Sequence, residues 1–256
     1  MTVQYEAGSG RATITIDDTE RRNPMSVETM RRLRVATQDA IEDPTVRVIV
    51  YTGAGDRAFS AGGDLSGGFA DEPVALHRER GELAELFRLM ARGGKPTVAR
   101  VNGHALAGGF GLAVACDVTI CVDDAKLGTT EVKVGLWPMM ISAVLVRAMS
   151  PKAAFELMLT GRVIDAEEAL RLGAVTRVVA REELDTVVDE VVEGLMSLSP
   201  STLLMGKDSF YGMADLDLDS ALDRLHGGLT ELTMTEDAGE GVAAFVDKRR
   251  PHWKGT

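Results

Sequence analysis

The chain has 256 residues, of which 45% are hydrophobic and 26% charged, and a formal net charge of −11. That length is ample for a buried core, and that balance belongs to an ordered globular protein. The acidic balance excludes a nucleic-acid binder, which needs a basic surface. The start, MTVQYEAGSG, lacks the blocks of a signal peptide, and no apolar run is long enough to span a membrane. A cytoplasmic protein that does not enter membranes is therefore expected. Cys116 and Cys121 sit in an apolar stretch and read as reduced core residues. No Cys or His cluster has metal-ligand spacing, so no metal is expected.

Arg11 to Ile16 alternates apolar and polar residues, as a half-buried strand should. Arg21 to Ser26 is a turn. Ser26 is the N-cap of a helix from Val27 to about Ile41, with Thr29 leaving the capping box incomplete. Val27, Met30, Leu33, Ala40 and Ile41 share one face of it, interrupted by Thr37. A strand follows at Val46 to Thr52. Gly53 to Ala58 formally matches a dinucleotide fingerprint, but no helix starts there, and NAD binding is not expected. The segment runs instead into Phe59-Ser60-Ala61-Gly62-Gly63-Asp64-Leu65. Lys207 of Gly206-Lys207 is followed by Asp208, so there is no Walker motif. Phe69 to Gly94 begins irregular and becomes helical. Its stripe of Leu83, Leu86, Phe87 and Met90 is either core or pocket lining, and His77 is a surface residue.

Thr97 to Val101 is a strand that turns at Asn102-Gly103, crosses Ala107-Gly108-Gly109 and enters a helix at Leu112 to Cys116. Glycines between a strand and a helix let the backbone approach a bound group closely. The first N–H groups of the helix are free and carry the positive end of its dipole. Each glycine stretch alone is explained by tight turns. Two of them, each after a strand, can aim two N–H groups at one oxygen and form an oxyanion hole.

Val118 to Val122 is a strand, Ala125 to Gly128 a short extended piece, and Ile141 to Met149 and Pro151 to Leu159 are helical. Asp165 caps a further helix, with Glu168 completing a capping box and Gly173 ending it. Repeated βα and ββα units imply an α/β fold with right-handed crossovers. From Pro200 onward the chain is helical, with Leu218, Leu222, Leu225, Leu229 and Leu232 in a stripe that must pack on something.

FSAGGDL followed by VNGHALAGGFGLAVACD resembles the enoyl-CoA hydratase/isomerase (crotonase) family. The likeness runs from RATITIDDTERRNPMS to EGVAAFVDKRRP. It implies a crotonase-like spiral of ββα units over residues 1–199, holding an acyl-CoA site. Residues 200–256 become a helical trimerisation region, giving a homotrimer or a hexamer that is a dimer of trimers. The substrate is an acyl-CoA thioester, and no cofactor is needed beyond the CoA of the substrate.

The same resemblance assigns the oxyanion donors to the N–H groups of Gly63 and Gly108. Ala61, Asp64 and Leu65 of the first motif become substrate contacts, with Asp64 also bracing its loop. Arg22 is a CoA phosphate contact or a solvated arginine. Phe245 and Lys248 match positions near the adenine, within one subunit or across a subunit boundary, although Lys248-Arg249-Arg250 alone is only a basic surface run. Two departures matter. The family's first catalytic glutamate is replaced by Gly111, whereas the second is kept as Glu131. The glycine-rich segment after the next proline is replaced by Met139-Met140-Ile141. A single carboxylate in an apolar site, its pKa raised by burial, suits a proton shuttle better than the holding of a water. Enoyl-CoA double-bond isomerisation is therefore favoured. The alternatives are hydration with Glu131 alone and a non-catalytic acyl-CoA binder. His104 and Trp137 are read as packing residues, and Asp117 and Glu20 as local structure.

Overall fold

The ββα repeat distributes its strands between two sheets. The structure, a computed structural model, describes residues 2–64 and 73–256, those at 73–76 by backbone alone. In chain order it contains β1 (Val3–Gly8), β2 (Arg11–Ile16), β3 (Pro24–Met25), α1 (Val27–Glu42), β4 (Val48–Gly53), β5 (Ala58–Ser60), β6 (Gly62–Gly63), α2 (Pro73–Arg92), β7 (Thr97–Val101), β8 (His104–Leu106) and α3 (Gly108–Ala115). There follow β9 (Val118–Val122), β10 (Lys126–Gly128), α4 (Met139–Ala148), α5 (Pro151–Thr160), β11 (Val163–Asp165), α6 (Ala166–Leu172), β12 (Arg177–Val179), α7 (Leu184–Met196), α8 (Pro200–Met213), α9 (Leu218–Thr233) and α10 (Glu236–Asp247).

In the three central units the first strand (β4, β7, β9) joins a six-stranded sheet of order β1-β2-β4-β7-β9-β12 and the second (β5, β8, β10) a four-stranded sheet of order β11-β10-β8-β5, while β3 and β6 form a separate two-stranded pair. Neighbouring units thus lay β4, β7 and β9 side by side, and β5, β8 and β10 beside one another. The pairings among each set are parallel, as helical crossovers require. β4 is buried at every position, which explains its unbroken Val-Ile-Val-Tyr run. Asn102, 2% exposed between β7 and β8, ties the units together. Its Nδ2 donates to Gly53 O at 2.8 Å and to Gly55 O at 2.7 Å.

Helix α1 starts as its cap predicts: Ser26 Oγ accepts the Thr29 N–H at 3.1 Å. Thr37, the polar residue on its apolar face, donates to Leu33 O at 2.7 Å and shares a 2.8 Å hydrogen bond with the buried Tyr51 hydroxyl. On α2, Leu83, Leu86 and Met90 are core residues and His77 is exposed. Cys116 and Cys121 are buried free thiols.

Some local expectations are corrected. β1 is an element beyond those expected; only Val3 of it is buried, so its apolar signal is weak. α3 begins at Gly108 rather than Leu112, and α4 at Met139 rather than Ile141. Asp165 caps α6, but the Glu168 carboxylate does not close the capping box, because Arg162 grips it at 2.8 Å. Asp117 is more than local structure. Its Oδ2 lies 2.6 Å from the buried Lys207 ammonium and its Oδ1 accepts the Tyr211 hydroxyl at 2.8 Å, which fastens α8 to the start of β9.

The C-terminal tail is tied down as well. Asp237 of α10, 1% exposed, accepts the hydroxyls of Ser199 and Ser201 at 2.7 and 3.0 Å and the Lys254 N–H at 2.7 Å. Leu218, Leu222 and Leu229 of the leucine stripe are exposed in the single chain. Among the described residues no helix is long and apolar enough to cross a membrane.

Candidate active site

Three turns converge where the second strands of the units end. The first is Ser60 to Gly63. β6 pairs in parallel with β3, so that Pro24 faces Gly62 and Met25 faces Gly63. The second is Leu106 to Gly109. It touches the first so closely that a Cβ on Gly62, at φ +89°, would lie 2.5 Å from Ala107 Cβ. A Cβ on Gly109 would lie 2.6 Å from Ser60 Cβ. Both glycines are therefore required by close approach. Ala107 itself has φ +49° and ψ −126°, a conformation that L-residues rarely hold and that costs about 1–3 kcal/mol. That bend sets the direction in which α3 begins.

Gly63 and Gly108 differ from their neighbours. Gly63 is exposed, and a Cβ there would meet nothing within 4 Å. At Gly108 a Cβ would meet only Met25 Sδ, at 3.4 Å. Met25 thus pairs with Gly63 and brings its Sδ near the position a side chain on Gly108 would take. Gly108 opens α3, where backbone N–H groups lack helical partners and carry the positive end of the dipole.

The third turn is Gly128 to Glu131. Gly128 lies opposite Leu106 in the ladder, and its carbonyl accepts the Ala107 N–H at 2.8 Å. Three residues on, Glu131 opens a short 3-10 turn, Glu131–Val134. Its Oε2 is buried and has no hydrogen-bond partner. Burial pushes the Glu131 carboxyl above its ordinary value, and its own backbone N–H pulls it partly back.

Ile141, 2% exposed on α4, packs against α3 at Gly111, three residues after Gly108. A Cβ on Gly111 would lie 2.1 Å from Ile141 Cγ2 and 2.6 Å from Ile141 Cβ. The space beside residue 111 is therefore filled by a branched apolar side chain.

The other expected residues are distributed as follows. Ala61 donates its N–H to Arg22 O at 2.9 Å, and Asp64 accepts from Arg21 at 2.8 Å, so both brace the first turn. Leu65 lies outside the described residues. His104 accepts the Lys126 N–H on Nδ1 at 3.1 Å and joins β8 to β10. Trp137 is half-buried, 6.1 Å from the Phe155 ring. Arg22 lines a cavity of about 350 Å³ with Asp56, Arg57, His104, Asp124 and Arg181, at the C-terminal ends of the main-sheet strands. Gly63, Gly108 and Glu131 do not line it. Phe245, 85% exposed, and Lys248 stand on and just after α10, which packs against α8 and α9; they do not join the three turns within this chain. Sequence reasoning missed Met25 and Thr129. Met25 carries no signal beyond its place in the first turn, and Thr129 none beyond being two residues from Glu131.

The sequence profile described as Enoyl-CoA hydratase/isomerase matches residues 6–256. The chain belongs to the enoyl-CoA hydratase/isomerase family. A Thermus thermophilus relative named "Putative enoyl-CoA hydratase" is 39% identical over 260 residues, covering 98% of this chain and 100% of its own. The carnitinyl-CoA dehydratase of Escherichia coli K12 is 36% identical over 224 residues, 84% of each chain. The crystal structure of an enoyl-CoA hydratase from Mycobacterium smegmatis superposes with a TM-score of 0.94 at 30% identity, over 99% of both chains. The fold is thus the α/β crotonase fold, and the protein is an acyl-CoA enzyme of the enoyl-CoA hydratase/isomerase family.

Proposed function

We propose that this enoyl-CoA hydratase/isomerase family member moves the double bond of a 3-enoyl-CoA to the 2-position through an enolate. The N–H groups of Gly63 and Gly108 hold the thioester oxygen, and charge developing there is stabilised by donors already in place. The Glu131 carboxylate removes a proton from C2. The electron pair passes into the carbonyl and forms the enolate. Return of the proton to C4 leaves the double bond between C2 and C3, and the carboxylate is regenerated. Neither water nor a separate cofactor is consumed, because CoA is part of the substrate. A carboxyl whose pKa is raised by burial is well matched to taking and returning one proton.

The observation that carries this reading is Ile141 packed against Gly111. It supports a site with one carboxylate, in which the place for a second is occupied by hydrocarbon. A second reading, hydration of a 2-enoyl-CoA by Glu131 alone, is favoured by the hydratase and dehydratase names of the relatives.

For CoA, the reading takes Arg22, Ala61, Asp64 and Leu65 as contacts beside Gly63 and Gly108. Arg22, Arg57 and Arg181 share that cavity with Asp56 and Asp124, the latter paired with Arg181 at 2.6 Å, and the remaining excess of positive charge supports an anionic ligand there. Phe245 and Lys248 would reach the adenine end of CoA from a neighbouring subunit of a trimer or hexamer. The exposed Leu218, Leu222, Leu229, Val242, Phe245 and Val246 of α9 and α10 support residues 200–256 as the oligomerising region. Exchange of the α-proton of a saturated acyl-CoA with D₂O tests the enolate. The wild-type protein should catalyse it and Glu131→Gln should not; binding without exchange would point to a non-catalytic binder instead.

A further inference from the structure

Thr129 is 0% exposed, and its Oγ1 has no hydrogen-bond partner. Two residues on, Glu131 Oε2 is also buried and unpartnered. The only other such atom among the described residues is Thr2 Oγ1, near the start of the chain. Buried polar atoms are nearly always hydrogen-bonded, and an unpartnered one costs roughly 1–3 kcal/mol. Two such oxygens on either side of one residue, in the turn that carries the carboxylate, call for a common explanation. Thr129 follows Gly128, whose carbonyl accepts the Ala107 N–H beside Gly108, so the turn that carries both oxygens is tied to the second glycine turn.

We propose that Thr129 is a positioning residue for Glu131: its hydroxyl and Glu131 Oε2 share one ordered water, which keeps the carboxylate ionised and aimed. A buried water typically makes about three hydrogen bonds, so one can complete both oxygens. Donation to the charged form of a carboxylate favours that form and opposes the effect of burial. The inference rests on the reading of Glu131 as the proton carrier. Charged groups near the turn do not take over this task. Lys133, in the same turn, lies against Gly161, while α5 packs on the turn and brings Lys152 and Glu156, the latter paired with Arg162 at 2.8 Å. The shift of Glu131 has burial and its own backbone N–H as its causes, and no neighbouring charge among them.

The test is a titration of the Glu131 carboxyl by ¹³C NMR, its resonance assigned by its loss in Glu131→Gln. Thr129→Val should raise the midpoint by about one to two pH units, the shift expected for losing one hydrogen bond to a charged group. The acid limb of the rate profile should move with it, and Thr129→Ser should restore both. An unchanged midpoint in folded Thr129→Val, or a serine variant that behaves like valine, overturns the proposal. If the valine variant does not fold, a high-resolution crystal structure of the wild type decides: one water within hydrogen-bond distance of both oxygens is expected, and protein partners for either oxygen would refute it. Full activity in Glu131→Gln would defeat the catalytic reading while the titration still scored the pairing.

Discussion

Ile141 stands in the space that any side chain at position 111 would need, with its Cγ2 2.1 Å from where a Cβ on Gly111 would lie. The two residues are 30 positions apart, on α3 and α4, and each explains the other. A branched residue at 141 is possible because 111 has no side chain. The contact predicts a reversal of sign in a double-mutant cycle. Gly111→Ala alone should destabilise the protein by about 1–3 kcal/mol through overpacking. In an Ile141→Gly background the same change should cost nothing or stabilise, since alanine exceeds glycine in a helix by about 0.8–1 kcal/mol. Urea unfolding of the four proteins measures this, and additivity would mean that the two side chains do not compete.

Adjacent glycines of the second motif should separate stability from activity. A methyl at 109 would run into Ser60, with Ser60 O at 2.7 Å, whereas one at 108 meets only Met25 Sδ at 3.4 Å. Gly109→Ala should lower the melting temperature markedly. Gly108→Ala should melt close to wild type yet lose most activity, because its methyl crowds the approach to the N–H. Equal melting temperatures for the two variants would contradict the close packing of Gly109 on Ser60.

Glu131 ties activity and stability to pH in opposite directions. Its carboxyl ionises above the ordinary value of 4.5, chiefly because burial penalises the charge. As a base it must be ionised, so activity should fall on the acid side with a midpoint above 4.5. For stability, the unfolded carboxyl ionises at the lower pH. Between the two pKa values the unfolded state binds fewer protons, and stability is lost as pH rises through the folded value. Glu131→Gln escapes that loss. Its stability relative to wild type should therefore improve as pH is raised from about 4 to about 8. Thermal melts of both proteins across that range are the check; a constant difference would mean that the carboxyl is not shifted.

The Asp117 network predicts where the C-terminal helices are weakest. Lys207 has a side chain 7% exposed and lies 2.6 Å from Asp117, itself 23% exposed. Lys207→Met leaves that carboxylate without its cation and should cost about 2–3 kcal/mol, less than a fully buried pair because water reaches Asp117. Tyr211→Phe should cost about 1 kcal/mol. Denaturant unfolding measures both, and a neutral Lys207→Met would remove the pair as an anchor of α8.

The parts of the fold legible in the sequence are those set by local chemistry. Ser26 and Asp165 cap helices because short oxygen-bearing side chains reach free N–H groups, and β4 shows itself by its unbroken apolar run. The glycines at 62, 63, 108 and 109 are legible as a pair of motifs, although not which of them admit a methyl. That distinction depends on Ser60 and Met25, which meet α3 only after folding. β1 escapes notice because it buries little. The filling of position 111 by Ile141, the reach of Asp117 to α8 and the unpartnered Thr129 hydroxyl are contacts between distant segments or consequences of burial, and no local pattern encodes them.

The most direct test of the one-carboxylate site is product analysis with matched 2-enoyl-CoA and 3-enoyl-CoA thioesters, for wild type and Glu131→Gln. Conversion of the 3-enoyl to the 2-enoyl thioester with no 3-hydroxyacyl product, abolished in the variant, is the predicted result. Rapid formation of 3-hydroxyacyl-CoA from the 2-enoyl substrate would contradict it and show that the site holds a reactive water despite Ile141.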